Sequence, residues 1–223
     1  MTPTLVSWSG GKDAAWTLHA LRGSDAFEPV GLVTTLTQGH DRVAMHRIRH
    51  ELLLEQVRAT GLPVIEAWQP QRPDNEAYER AFVAALSEAR ERLGEVGHIA
   101  FGDIFLEDVR SWREALCARH GWGALFPLFG RETGALAREM VEGGLRGVLT
   151  CVDTEQLDAK FSGHAFDEGL LEALPKGVDP CGERGEFHTL VTEGPMLARA
   201  LAVRKGEQVL RDGRFAFTDF APA

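Results

Sequence analysis

Apolar and polar residues alternate along the chain in a way that predicts strands and helices in turn. Short apolar runs bounded by turn residues are typical of buried strands, and they occupy residues 4–8, 29–36, 62–68, 98–103 and 147–152. Apolar residues at helical spacing occupy segments at about 12–21, 46–60, 75–93, 108–119 and 132–142. Strands that alternate with helices favour a parallel sheet covered by helices on both faces.

The pattern changes after about Asp153. From Phe187 onward, short apolar runs are separated by turns, and the pair Asp212-Gly213 is typical of a β-hairpin. The sequence therefore predicts an α/β fold with two domains. A parallel-sheet, Rossmann-like nucleotide-binding domain is expected over residues 1–126, and a smaller α+β domain over residues 127–223.

Charge and cysteine content narrow the class of protein. The 223 residues include 24 Lys and Arg against 33 Asp and Glu, which gives a net charge of −9. This acidic balance argues against nucleic acids and membrane surfaces as partners. The three cysteines form no C-x-x-C pair, which argues against a structural zinc site and a disulfide framework. No uncharged stretch has membrane-spanning length, so we expect a cytoplasmic protein.

The segment VSWSGGKDAAW leads from a strand through two glycines into a helix. The first N–H groups of a helix have no internal partners and carry partial positive charge, which suits a phosphate group. Gly10 and Gly11 would let the backbone approach phosphate oxygens. Ser9 would donate a hydroxyl, Lys12 would add positive charge, and Asp13 would hold a divalent cation. An ordinary strand-to-helix turn with a solvated lysine is the alternative interpretation.

This segment matches neither the Walker A pattern nor the dinucleotide pattern G-x-G-x-x-G. Residues 9–14, SGGKDA, resemble instead the SGGKDS signature of the PP-loop ATP pyrophosphatases, which are adenine nucleotide alpha hydrolase-like proteins. Further features follow in the order seen in the diphthine–ammonia ligase family: FGDI at 101–104, Arg110, PLFGR at 127–131 and DPCGERGEFHTLVTEGP at 179–195. The resemblance covers nearly the whole chain.

The resemblance implies a PP-loop domain of the HUP (Rossmann-like) type and a C-terminal domain that closes the cleft. It also implies an enzyme that uses ATP and Mg²⁺, releases AMP and pyrophosphate, and activates a carboxylate for amidation by ammonia. The acceptor carboxylate would belong to a protein side chain or a small molecule. The ATP-binding residues would be Ser9, Gly10, Gly11, Lys12, Asp13 and Arg110, with Asp13 also at the metal. The catalytic residues would be Lys12, Asp103, Glu183 and Glu186, and His188 and Thr189 would bind the substrate.

Two residues depart from the family pattern. Ala14 replaces the usual hydroxyl residue of the signature, so one hydrogen bond to phosphate is missing. Arg184 stands where a small or amide residue is frequent, which changes the acceptor pocket. Three functions therefore stay open: an adenylating amide ligase, a PP-loop ATP pyrophosphatase acting on another small molecule, and a non-catalytic adenine-nucleotide sensor. A homodimer also stays open.

Several side chains have two interpretations each. The segment CGERGEFHT forms a site or a surface turn, and we favour the site. Cys181 is a nucleophile or a structural thiol, and we favour the thiol because the sequence shows no paired base. His46 contacts adenine, or it caps a helix or is solvated. Arg110 and Arg113 share one predicted helix, where either binds phosphate or pairs with neighbouring glutamates. We favour Arg110 for the site.

Overall fold

A computed structural model of the chain describes residues 1–39, 48–71 and 73–223. Its first five strands are β1 (Thr2–Ser7), β2 (Phe27–Thr37), β3 (Val64–Gln69), β4 (His98–Ala100) and β5 (Gly123–Leu125). They form one parallel sheet in the order β3-β2-β1-β4-β5. The strand order reverses at β1, because β2 lies on one side of it and β4 on the other. This sheet confirms the predicted α/β fold.

Four helices cover the parallel sheet: α1 (Lys12–Arg22), α2 (His50–Thr60), α3 (Asn75–Leu93) and α4 (Glu107–Arg119). Successive side chains of a strand point to opposite faces of a sheet. Accordingly, Leu5 joins the core formed with α3 and α4, whereas Val6 joins the core formed with α1 and α2. Within the described ranges, no helix has both the length and the apolar character needed to cross a bilayer.

The second half of the chain forms an antiparallel sheet. Its elements are α5 (Thr133–Glu142), β6 (Arg146–Asp153), β7 (Ala165–Phe166), α6 (Glu168–Ala173), β8 (Phe187–Glu193), β9 (Val203–Arg211) and β10 (Phe215–Pro222). β6 pairs antiparallel with β7, β8 and β10, and β9 pairs antiparallel with β10. The expectation that residues 147–152 extend the parallel sheet is therefore corrected. Alternation with helices does not reveal which sheet a strand joins, and β6 finds its partners later in the chain.

Three local features test the predicted boundaries. The hairpin at Asp212 and Gly213 is confirmed: both residues have positive φ, 53° and 65°, between β9 and β10. The strand β5 was not predicted, because three half-buried residues carry no periodic signal. Helix α2 begins at His50, and His46 lies outside the described residues.

The two sheets share one hydrophobic core, in which residues of α1 and β8 cluster together. Hydrogen bonds also join the halves of the chain. The Val191 N–H donates to the Gly10 carbonyl at 3.0 Å, and the Arg22 guanidinium donates to the Met196 carbonyl at 2.8 Å. The domain boundary at residues 126/127 stays a prediction, while the packing across it is continuous.

Candidate active site

A cavity of about 410 Å³ lies at the carboxyl ends of β1 and β4. The strand order reverses between these two strands, and open α/β sheets bind their ligands at this position. Seven of the predicted site residues line the cavity: Ser9, Lys12, Asp13, Asp103, Glu183, His188 and Thr189. Arg113 and Arg184 line it as well, whereas Gly10, Gly11, Arg110 and Glu186 lie outside the lining. The cavity thus brings together residues that are distant in sequence.

The loop between β1 and α1 aims the start of the helix at the cavity. Gly10 has a φ of +80°, a conformation that L side chains rarely adopt. Gly11 is the N-cap of α1 and provides no side-chain cap, while its own N–H donates to Ser9 Oγ at 3.3 Å. The positive end of the helix dipole therefore lies beside the cavity-lining residues, which favours an anionic ligand.

The space around Gly10 is filled by protein. A Cβ at Gly10 would lie 2.5 Å from Gln56 Oε1 and 2.9 Å from Ile48 Cδ1. Gln56 belongs to α2 and is fully buried. The sequence predicts that Gly10 leaves room for phosphate. In the structure the missing side chain leaves room for Gln56, and the positive φ is the second reason for the glycine.

Lys12 is buried beside its neighbour in the sequence. Its Nζ lies 2.8 Å from Asp13 Oδ2 and 5.5 Å from the centre of the Phe187 ring. Burial acts to lower the pKa of Lys12, but the attraction of the Asp13 carboxylate, with a smaller contribution from Glu183, outweighs it, so the pKa is raised above its ordinary value. The ammonium therefore stays charged at neutral pH.

Asp13 and Asp103 offer carboxylate oxygens to the same cavity. Burial raises the pKa of Asp13, with Lys12 opposing this effect and Asp103 adding to it. Asp13 Oδ1 is buried and has no hydrogen-bond partner among the described residues. Asp103 Oδ2 lies 2.8 Å from Arg113 Nε. No group of three or more His, Cys, Asp or Glu side chains within the described ranges could hold a metal ion unaided.

Glu183 faces these residues from the C-terminal half of the chain. Its Oε1 accepts N–H groups from Ile104 at 2.7 Å and from Phe105 at 3.4 Å, in the loop after β4. Burial raises the pKa of Glu183 to about 7, against the lowering effect of the Ile104 N–H. A carboxyl group with this pKa can exchange a proton near neutral pH.

Glu186 shapes the loop that carries Glu183. Its buried carboxylate accepts the Asp179 N–H and the Arg184 N–H, both at 2.9 Å. Asp179 in turn accepts the Cys181 N–H at 2.9 Å through Oδ1. The family resemblance implies that Glu186 is a catalytic residue that faces the reacting carboxyl group. In the structure Glu186 is buried outside the cavity lining, and these backbone donors use both of its oxygens.

Comparison with known proteins assigns each half of the chain to a domain of a known family. Residues 2–123 match the diphthamide synthase N-terminal domain, and residues 132–217 match the diphthamide synthase C-terminal domain. The chain belongs to the diphthamide synthase family.

Several relatives of this family are named diphthine–ammonia ligase. The one from Schizosaccharomyces pombe is 24% identical over 218 residues, which cover 90% of this chain and 36% of that protein. The human one is 31% identical over 121 residues (52% of this chain, 45% of that protein). The one from Danio rerio is 30% identical over 141 residues (60% and 55%). The chain thus spans between about a third and just over half of the length of these relatives.

The cavity combines residues from both diphthamide synthase domains. Lys12, Asp13 and Asp103 fall within the N-terminal match, and Glu183 falls within the C-terminal match. The Lys12 N–H donates to Thr189 Oγ1 of β8 at 3.0 Å. A backbone donor at the first turn of α1 is therefore held by the C-terminal domain of the family.

The two arginines of α4 have different surroundings. Arg110 Nε pairs with Glu114 Oε1 at 2.8 Å, and its guanidinium lies 4.5 Å from the centre of the Phe129 ring. Arg113 lines the cavity beside Asp103. The sequence favours Arg110 for the site, whereas in the structure Arg113 lines the cavity. The periodicity of the sequence predicts that both arginines lie on one helix. It does not reveal how α4 is rotated relative to the end of β4, and this rotation decides which arginine faces the cavity.

Cys181 has the environment of a structural thiol. Its Sγ donates to the Thr133 carbonyl at 3.4 Å, and burial raises the pKa of the thiol to about 12. A thiolate is the form of cysteine that acts as a nucleophile, and it does not form at neutral pH with such a pKa. The interpretation of Cys181 as a structural residue agrees with this environment.

Proposed function

We propose that the protein is an ATP-dependent adenylating ligase. It would cleave ATP to AMP and pyrophosphate, activate a carboxylate as an acyl-adenylate, and transfer that acyl group to ammonia. The placement of Lys12, Asp13 and the start of α1 around one cavity carries this proposal. The names of the relatives, diphthine–ammonia ligases, support amide formation as the reaction.

The loop between β1 and α1 would bind the β and γ phosphates. The helix terminus and the Lys12 ammonium offer positive charge at one point of the cavity wall. Fixed donors accelerate a reaction when they face the atoms on which charge develops. With pyrophosphate as the leaving group, that charge develops at the loop. The acceptor carboxylate attacks the α phosphorus, and the bond from that phosphorus to the bridging oxygen breaks.

The acidic residues fit a magnesium ion that arrives with ATP. Mg²⁺ is usually bound through one or two carboxylates together with substrate phosphates, so a site built only from protein is not required. Asp13 Oδ1, buried and unpartnered within the described residues, is the oxygen best placed to hold it, and Asp103 lies on the same wall. When bound, the ion would neutralise charge on the phosphate oxygens.

Glu183 would act as the general base of the second step. Ammonia attacks the acyl carbon, AMP leaves with the electrons of the broken bond, and the nitrogen loses a proton. Glu183 lines the cavity opposite Lys12 and Asp13, and its pKa is raised by burial to about 7. A base with a pKa near the operating pH is efficient in such a transfer.

Arg184 favours a second candidate, in which the same cleavage of ATP serves another acceptor. Its side chain lines the cavity, with the guanidinium 5.6 Å from the centre of the Phe105 ring. An arginine at this position adds positive charge to the acceptor pocket, which favours an acceptor with negative charge in addition to its reacting carboxylate. Dependence of AMP formation on ammonium separates the amide ligase from this alternative.

Product analysis tests the proposal. Protein, ATP, Mg²⁺, ammonium and a panel of carboxylic acids should give AMP and pyrophosphate in ³¹P NMR spectra. Lys12→Met should abolish this reaction, whereas Lys176→Met, which changes an exposed lysine, should leave it intact. Circular dichroism would show whether both variants are folded. ADP as the main product would contradict the cleavage at the α phosphorus, and ATP binding without turnover by any acceptor would favour a nucleotide sensor.

A further inference from the structure

Gln56 is a fully buried glutamine of α2 that holds two other parts of the chain. Its Nε2 donates to the Gly10 carbonyl at 2.9 Å and to the Val191 carbonyl at 2.6 Å. Both acceptors are carbonyl oxygens, so the amide must present its NH₂ end to them. One side chain thus joins the loop before α1 to strand β8.

The Gly10 carbonyl is held by two donors. Besides Gln56 Nε2, it accepts the Val191 N–H at 3.0 Å. The C=O and N–H groups of a trans peptide point in opposite directions. The N–H of the same peptide, that of Gly11, accordingly faces Ser9 Oγ, and Ser9 lines the cavity. Fixing the carbonyl on the protein side fixes the N–H on the cavity side.

The glutamine is not the choice that packing alone would favour. Its Oε1 is buried and accepts no hydrogen bond from the described residues. An unsatisfied buried acceptor destabilises a fold, and an apolar side chain of similar shape would avoid that cost. Gly10 is also constrained by this side chain, because a Cβ there would lie 2.5 Å from Oε1. The hydrogen bonds that its NH₂ group donates therefore explain why a glutamine occupies position 56.

We propose that Gln56 is a positioning residue that keeps the Gly10–Gly11 peptide oriented for phosphate binding and couples this loop to β8. Without its NH₂ group, the Gly10 carbonyl keeps only the Val191 N–H as a donor. The peptide then rotates more readily, and in the rotated state it presents the Gly10 oxygen to the anionic phosphates. This inference rests on the proposed ATP site. We expect the loss of Gln56 to weaken binding of the β and γ phosphates, because these are the phosphates that the loop is proposed to bind.

The test compares two nucleotides on Gln56→Met, a variant of similar size without a donor. Titration calorimetry should show that the affinity for Mg²⁺-ATP falls by about tenfold or more, while the affinity for AMP changes less than twofold. Gln69→Met is the matched control, because Gln69 is also a buried glutamine but lies outside the cavity lining. It should leave both affinities unchanged. If Gln56→Met does not fold, Gln56→Asn, shortened by one methylene, should show the same selective loss.

The outcomes separate this inference from the proposed function. Wild-type protein that binds no Mg²⁺-ATP would overturn both. Wild-type binding with an unchanged ATP affinity in folded Gln56→Met or Gln56→Asn would overturn the positioning role alone. Equal losses for ATP and AMP would also overturn it, because they indicate a general change of the fold. A selective loss for ATP that Gln69→Met does not share would support it.

Discussion

Burial opposes ionisation of the carboxyl groups in the candidate active site. For Glu183, burial raises the pKa from its ordinary 4.5 to about 7, although the Ile104 N–H acts in the other direction. For Asp13, burial raises the pKa despite the adjacent Lys12. Groups with displaced pKa values in a cleft are frequent at catalytic sites, since they exchange protons near neutral pH. The same displacement makes the stability of the fold depend on pH.

Replacing Glu183 by Gln should remove part of this pH dependence. Between pH 4.5 and 7 the folded protein keeps a proton that the unfolded chain has released, so stability falls as the pH rises through this window. Gln does not ionise. Glu183→Gln should therefore gain about 1–2 kcal/mol over wild type between these pH values, after allowance for solvent screening of a partly exposed group. Urea unfolding at a series of pH values measures the difference.

Turnover should respond in the opposite sense to stability. Glu183→Gln should form no amide although it is the more stable protein above pH 7, and wild-type turnover should rise with pH through about 7. Glu193→Gln, an exposed change on β8, is the control for both measurements. Parallel stability curves for wild type and Glu183→Gln would show that Glu183 is ionised throughout the window and would remove the basis of its role as a base.

The loop before β8 is built from side-chain carboxylates that accept backbone N–H groups. Glu186 and Asp179 together fix the course of the chain from Asp179 to β8, and Gly182 and Gly185 adopt positive φ values of 66° and 84° within it. The position of Glu183 opposite the loop of α1 follows from this internal frame. The position of Glu183 therefore depends on Asp179 and Glu186, which do not line the cavity themselves.

Glu186→Gln should weaken this loop without altering the nucleotide site. An amide has one acceptor oxygen, so either the Asp179 N–H or the Arg184 N–H loses its partner, at a cost of about 1–3 kcal/mol in unfolding free energy. Turnover should fall on the order of tenfold to a hundredfold because Glu183 shifts. Affinity for ATP, measured by calorimetry, should change less than about twofold. A comparable loss of ATP affinity would assign the loop to nucleotide binding.

Elements with a strong periodic signal were predictable from the sequence, and short or context-dependent ones were not. The helix at 75–93 and the hairpin at Asp212-Gly213 agree with the structure. The strand β5 is too short to show a period, and β6 is a strand whose partners depend on tertiary structure. The loop of α1 was recognisable because its glycines, lysine and acid are contiguous. Gln56 was not, because its two acceptors lie 46 and 135 residues away.

The two sheets act together because the candidate active site and its support are divided between them. Lys12 and Asp13 belong to α1, which packs on the parallel sheet. Thr189, Val191 and Glu183 belong to the C-terminal half of the chain. The core that joins them contains residues of both halves. Neither half contains a complete set of partners for the loop before α1.

Residues 1–126 expressed alone should therefore fail to bind ATP with the affinity of the full chain. Without β8, the Gly10 carbonyl and the Lys12 N–H lose the partners that Val191 and Thr189 provide, and the apolar face of α1 is exposed to water. Co-expression with residues 127–223 should restore binding, as measured by calorimetry on the purified pair. Full ATP affinity in a folded, isolated 1–126 fragment would show that the N-terminal half is self-sufficient.

The hydrogen bond between Lys12 and Thr189 spans 177 positions of the chain. A ribosome releases these two residues at widely separated times, so the loop leaves the exit tunnel long before the strand that holds it. Contacts of such sequence separation form late, because the intervening chain must first lose its conformational freedom. A nascent chain consequently carries the loop before α1 in an unfinished conformation. If the proposed ATP site is correct, the chain gains its affinity for the nucleotide only once residue 191 has emerged.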